Sequence, residues 1–255
     1  LIFPRHFVDF ETLTPAVPHH AGMRPYQMMA FQWSCHTLSS PTDAQLTHHE
    51  WVHQGSGVPN AEFLQTLRQA VGETGTLVVF GTHELRVLRL LFEELDATPF
   101  VDRDLRAWLA DVLDPDLPML HTADFHALAT EYYLPPEMGN RSSLKRLVTA
   151  VLRENPSPRA QAWLQHFAPG ISLNHTGPDG HLHDPYSLLP EPFAHLPGLS
   201  PQVIDTLLGS QHTVRQGALA MALYEELKFG LANTPGPLRE ALVAALLLYC
   251  RLDSL

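Results

Sequence analysis

Asp9 and Glu11 stand two apart in HFVDFET, a spacing that puts both carboxylates on one face of an extended strand. Their neighbours Phe7, Val8 and Phe10 belong to a strand that looks buried. Buried carboxylates are costly unless they are paired or bound to a metal, so this strand points to divalent-cation chemistry. The plain alternative is a half-exposed strand with both acids in solvent. A second grouping lies in YCRLD at 249–253, where Tyr249 and Asp253 are four apart and share one face of a predicted helix. Read alone, it is an ordinary amphipathic helix end.

The elements that must position these groups follow from periodicity. Residues 6–11 alternate as a strand, 26–38 form an aromatic second strand and 48–53 a third. The loop at 54–60 leads into a helix with Phe63, Leu64, Leu67 and Val71 at helical spacing, closed by Gly72 and Gly75. TLVVF at 76–80 reads as a buried strand, followed by a helix from His83 to about Leu95. Three strands, helix, strand, helix is the order of a mixed α/β sheet, its first three strands antiparallel, with helices packed against it. Further helices are expected at 103–113, 122–132 and 142–153, then at 213–229 and 237–253, with Ser142 or Ser143 capping the third. Prolines crowd the stretch between, and residues 155–201 read as an irregular Pro- and His-rich surface insertion in a single domain spanning 1–255.

Composition limits the partners. The 255 residues carry a net charge of −11, which excludes a broad basic face that coats nucleic acid. A small site that gathers carboxylates around cations remains open, because the cations supply the positive charge. Of the 16 basic side chains only Lys145 and Lys228 are lysines, so phosphate contacts would fall mostly to arginines. Cys35 and Cys250 form no CxxC pair, which excludes a disulfide framework and a cysteine zinc site. No apolar run reaches the ~18 residues of a membrane span and no secretory signal is evident, so a soluble cytoplasmic protein is expected. The missing initiator Met and the abrupt first strand suggest a fragment of a longer protein. The 16 histidines cluster at His19 and His20, at His48, His49 and His53, and at His175, His181 and His183. Lacking helical zinc-enzyme spacing, they read as surface residues, with a zinc site near Asp184 as the lesser alternative.

DFET at the first strand and YCRLD near the end together resemble the tyrosine-bearing branch of the DEDD exonuclease superfamily, whose fold is ribonuclease H-like. That resemblance implies a third acid where the fourth strand hands over to a helix, and Glu84 in LVVFGTHELRVL stands there in place of the usual aspartate. It is also an ordinary first-turn acid, favoured by the helix dipole, with His83 an alternative polar group at the turn. FVDFET, GMRPYQMMAFQWSCH, RSSLK, DPYSLLP and LYCRLDS further resemble an uncharacterised bacterial domain family that often lies C-terminal to a RecB-like nuclease domain. This second resemblance implies only the fold and the metal-site acids, while the resemblance to the DEDD superfamily implies a 3′–5′ exonuclease acting on ends of single-stranded DNA or RNA. Two Mg2+ or Mn2+ ions would be held by Asp9, Glu11, Glu84 and Asp253, with Tyr249 orienting the attacking water.

Arg24, Arg141 and Lys145 are candidate phosphate contacts, although a solvated surface charge is the commoner role for any one of them. Tyr26, Phe31 and Trp33 are candidates for base stacking, although aromatic residues at strand spacing usually form core. Two rivals stay open. One is a ribonuclease H-like scaffold that binds nucleic acid or docks a nuclease without cutting, and the other a metal-dependent hydrolase of small phosphoesters or nucleotides.

Overall fold

A computed structural model describes residues 1–43, 45–96, 102–114, 116, 118–133, 143–154, 157–171, 185–191, 217–230, 233 and 235–255. The chain forms two compact units, residues 1–144 with Ser254 and Leu255, and residues 145–253.

The first unit is built on a five-stranded mixed sheet of order β3-β2-β1-β4-β5. Its strands are β1 (Arg5–Leu13), β2 (Met29–Leu38), β3 (Thr47–Val52), β4 (Gly75–Val79) and β5 (Leu120–Asp124). β2 runs antiparallel to both neighbours, while β1, β4 and β5 run parallel. Helices α1 (Asn60–Val71), α2 (His83–Asp96), α3 (Arg103–Val112) and α4 (Phe125–Tyr132) complete the unit.

Alternation along β1 and β2 divides the sheet into two unlike faces. Val8, Phe10, Trp33 and Cys35 pack with Phe63, Leu64 and Leu67 of α1, Leu88 and Leu91 of α2 and Leu109 of α3 in one core. On the other face the register opposes Asp9 to Ser34, Glu11 to Gln32 and Phe7 to His36. Directly opposed residues share a face, so this one is largely polar. Every residue of β2 is buried, Gln32, Ser34 and His36 included.

Specific side chains lock the helices to the sheet. Asn60 accepts from the Ala30 amide (2.9 Å) and donates to Met28 O (3.0 Å), and Trp33 donates to Thr66 Oγ1 (3.0 Å). Gly75 has φ +117°, and a Cβ there would collide with Pro4 O, so the start of β4 admits only glycine.

Two expectations change. Residues 122–132 are not one helix, since 120–124 pair with β4 as an edge strand before α4 begins. HTAD has no apolar face to announce a strand, because its neighbour supplies pairing through backbone groups alone. His53 and His48 are also not surface groups: His53 is 1% exposed and His48 half-buried, the price of lying beside a fully buried central strand.

The second unit contains α5 (Leu144–Glu154), α6 (Pro158–Phe167), a 3-10 turn at Pro185–Leu188, α7 (Gly217–Phe229) and α8 (Pro237–Ser254), the last reaching into the first unit with its final residue. α6 lies inside the stretch expected to be irregular. Ser157 caps it, accepting from the Ala160 amide, and Pro158 occupies its first turn, where no amide hydrogen is needed. Arg251 donates to Phe167 O (3.0 Å) and Arg239 to Leu227 O (3.1 Å), which satisfies carbonyls left open at the ends of α6 and α7.

Candidate functional site

Asp9 and Glu11 lie on the polar face of β1, Asp9 half-buried and Glu11 9% exposed. The register of β1 against β2 shifts between Glu11 and Thr12, a bulge-like irregularity of the kind that re-aims side chains beside functional sites. Next to them runs a buried polar array. Ser34 Oγ lies 2.7 Å from Ser254 Oγ and 3.1 Å from His48 Nε2, and His36 Nδ1 lies 2.9 Å from Ser254 Oγ. The His36 and His48 rings stack at 4.3 Å. Hydroxyls and imidazoles inside a sheet stabilise one arrangement when they bond each other, and Ser34, Ser254, His48 and the Nδ1 of His36 are linked in this way. Ser254 is thereby tied to the strand residue directly opposite Asp9, and Asp253 is its covalent neighbour. Asp9, Glu11 and Asp253 are carboxylates that could hold a metal ion.

Glu84 sits in the first turn of α2 and is 5% exposed. Parallel pairing of β1, β4 and β5 sends their carboxyl ends to one edge of the sheet, which is where α2 starts. The Gly81 amide in this connection donates to Asp124 Oδ1 (2.8 Å), and Asp124 also caps α4 by accepting from the His126 and Ala127 amides. Asp124 is thus a positioning residue absent from the sequence reading, although an aspartate just before a helix signals a cap. Partial burial, then the Arg86 guanidinium, hold His83 below the usual histidine range. Burial also lowers His6, whose Nδ1 lies 2.9 Å from Thr37 Oγ1. On the apolar face, burial pushes the Cys35 thiol up to about 12, which favours its protonated form.

In the second unit, Tyr186 donates a hydrogen bond to Asp253 Oδ1. The Tyr186 and Tyr249 rings meet edge to face at 6.3 Å, and Lys145 Nζ lies 4.0 Å from the first ring centroid and 5.5 Å from the second. Lys145, Tyr249 and Asp253 therefore belong to one cluster, and Tyr186 is a member that sequence reasoning assigned no role. Its signal was DPYSLLP, a motif set in a proline-dense stretch. Arg24 is exposed in the turn before β2. Arg141, His175, His181 and His183 fall outside the described residues. Among the described residues no histidine or cysteine enters a group able to hold a metal.

The first unit is an α/β domain whose mixed sheet buries acids and other polar groups on one face. The domain family described as "Domain of unknown function (DUF2779)" matches residues 6–143, more than half of the chain, and the chain belongs to that family. The match covers the sheet and the helices α1 to α4 and stops before DPYSLLP and LYCRLDS. No curated protein and no solved structure matches the chain. Among the described residues no helix is long and apolar enough to cross a membrane.

Proposed function

We propose that this chain is a metal-dependent 3′–5′ exonuclease of ribonuclease H-like architecture, acting on terminal phosphodiesters of single-stranded DNA or RNA. The observation that carries the reading is the polar face of the sheet: Asp9 and Glu11 lie there beside a buried hydroxyl–imidazole array that holds Ser254, the residue after Asp253. Strand order supports it, since 3-2-1-4-5 with only β2 reversed is the order of ribonuclease H-like sheets.

The donor set suits the proposed cofactor. Asp9, Glu11, Glu84 and Asp253 offer carboxylate oxygens only, the hard ligands that Mg2+ and Mn2+ prefer, with no thiolate or imidazole to favour zinc. Bound divalent ions would lower the pKa of an attacking water and offset charge on the phosphodiester. The chain's own groups do the rest. Asp9, midway along β1, is held by the pairing of its strand with β2, where it faces Ser34, and β1 also pairs with β4 through Arg5, His6 and Phe7. Glu84 is held by the turn that Asp124 braces. Tyr186 fixes one oxygen of Asp253 by donating to it. Tyr249 orients the attacking water through its phenol, and Lys145 adds positive charge near both tyrosines. Arg24 and Arg141 are the proposed contacts to the substrate's phosphates.

The test is a 5′-labelled single-stranded DNA and RNA panel with Mn2+, run beside Asp9→Asn and a mononucleotide control. Stepwise shortening from the 3′ end, abolished in the variant, is the expected result. Equal shortening by wild type and variant, or phosphate release from mononucleotides alone, would overturn the reading.

A further inference from the structure

A cavity of about 790 Å3 lies within the first unit, along one side of α2. The helix lines it with positions 83, 86, 87, 90, 93 and 94, a stripe at steps of mainly three and four that follows the helix axis. Thr12, next to Glu11, also lines it. Charge reverses along this stripe. Arg86 stands near the amino end of α2, two residues past Glu84, and Glu93 and Glu94 close the other end. The eight helical steps from residue 86 to residue 94 span about 12 Å.

The turn of residues 24–27 also lines the cavity. The Gln27 amide donates to Arg24 O (3.1 Å), and the Arg24 amide donates to Gln27 Oε1 (3.0 Å). Pro25 then occupies the second turn position and Tyr26 the third, where φ is +59°. That third position normally calls for glycine. Tyr26 is the one non-glycine with positive φ among the described residues, and its side chain is 70% exposed. A bulky residue kept in a strained conformation, with its ring in solvent at the mouth of a cavity, suggests a functional constraint. Among the described residues, neither Arg24 nor Arg86 forms an ion pair.

We propose that this groove seats the last few nucleotides of a single strand, an inference that rests on the exonuclease reading and names what that site receives. Arg24 and Arg86 take phosphates through their planar forks. The exposed Tyr26 ring stacks on a base face, which every base presents. Glu93 and Glu94 repel the polyanion beyond them. At about 3.4 Å per stacked nucleotide, the 12 Å between Arg86 and Glu94 holds at most about four. The groove is therefore a seat for strand ends and not a channel for a running strand.

The test is fluorescence anisotropy with the whole chain and labelled oligothymidylates of two, four and sixteen nucleotides, in chelator so that no cation contributes. Affinity is expected to level off at four. The salt slope is expected near −1.4, from two phosphate contacts at about −0.7 each, and near −0.7 in Arg24→Ala and in Arg86→Ala. Tyr26→Gly is expected to lose about tenfold in affinity with no fall in melting temperature, because glycine suits that backbone. Affinity that climbs steadily to sixteen nucleotides, unchanged salt slopes, wild-type binding by Tyr26→Gly, or displacement by inorganic phosphate as effective as by the tetranucleotide would each overturn the proposal. Calorimetric titration with Mn2+ on the same proteins reports on the acids alone. Loss of the groove with cation binding intact thus stands apart from failure of the metal site.

Discussion

The two faces of the one sheet are stabilised by opposite means. One is a continuous apolar contact with α1, α2 and α3, where Phe63, Leu67, Leu77, Leu88 and Leu109 are essentially inaccessible. The other buries Gln32, Ser34 and His36 just as deeply, and ties Ser34 and His36 to Ser254 by hydrogen bonds in place of dispersion. Burying a polar group without compensation costs roughly 2–7 kcal/mol, so a fold under selection for stability alone would have filled both faces with Val and Leu. The difference teaches that the apolar face holds the domain together by burial, while the polar face depends on specific pairing among named groups.

Substitutions on each face can break that division. The largest expected effect is on activity. Asp9→Asn should reduce Mn2+-dependent cleavage by about 10^3-fold, since several kcal/mol of charge stabilisation is lost, with melting temperature unchanged or raised. A single-turnover assay beside a thermal melt checks both halves, and a variant that unfolds would show Asp9 to be structural. On the apolar face, Leu64→Ala should destabilise by about 2–5 kcal/mol in urea, with the affinity for Mn2+ in the folded protein unchanged. A parallel fall in Mn2+ affinity would mean that the two faces are not separable.

Smaller effects sharpen the picture. Ser254→Ala removes the hydroxyl shared by Ser34 and His36 and should cost about 1–3 kcal/mol in the same denaturation experiment, with a weaker Mn2+ affinity as its second readout. The smallest effect is a pH dependence from His6. Its folded pKa lies below the free value of 6.5, so the unfolded chain binds the extra proton first. The stability linked to His6 is then complete above about pH 6.5 and is lost as pH falls from there toward the folded pKa. His6→Asn should flatten the slope of melting temperature between pH 7 and 5, and an unchanged slope would place that proton elsewhere.

The sequence made some of this legible, for physical reasons that differ from segment to segment. Period-two alternation is strong in HFVDFET, so the strand and the common face of Asp9 and Glu11 were readable. In MAFQWSCHTL the aromatic content identified a central strand but masked Gln32, Ser34 and His36, which look like interruptions in a core and form a face of their own. β5 went unseen because an edge strand held by parallel backbone pairing needs no apolar stripe. α6 was hidden by proline density, although Ser157 followed by Pro158 is a helix start. The pairing of Tyr186 with Asp253 spans 67 residues, and no local pattern announces it. Glu84 was placed by resemblance alone; it is buried in the first turn of α2.

The bond between Ser34 and Ser254 joins residues 220 positions apart. Contacts on the apolar face link residues no further apart than Val8 and Leu120. Loop-closure entropy grows with the length enclosed, so the chain can gather its apolar face well before it secures the polar one. During synthesis the hydroxyl–imidazole array therefore waits for residues made at the far end of this sequence. A partly made chain can gather the apolar core of its sheet while Ser34 and His36 still lack the hydroxyl of Ser254.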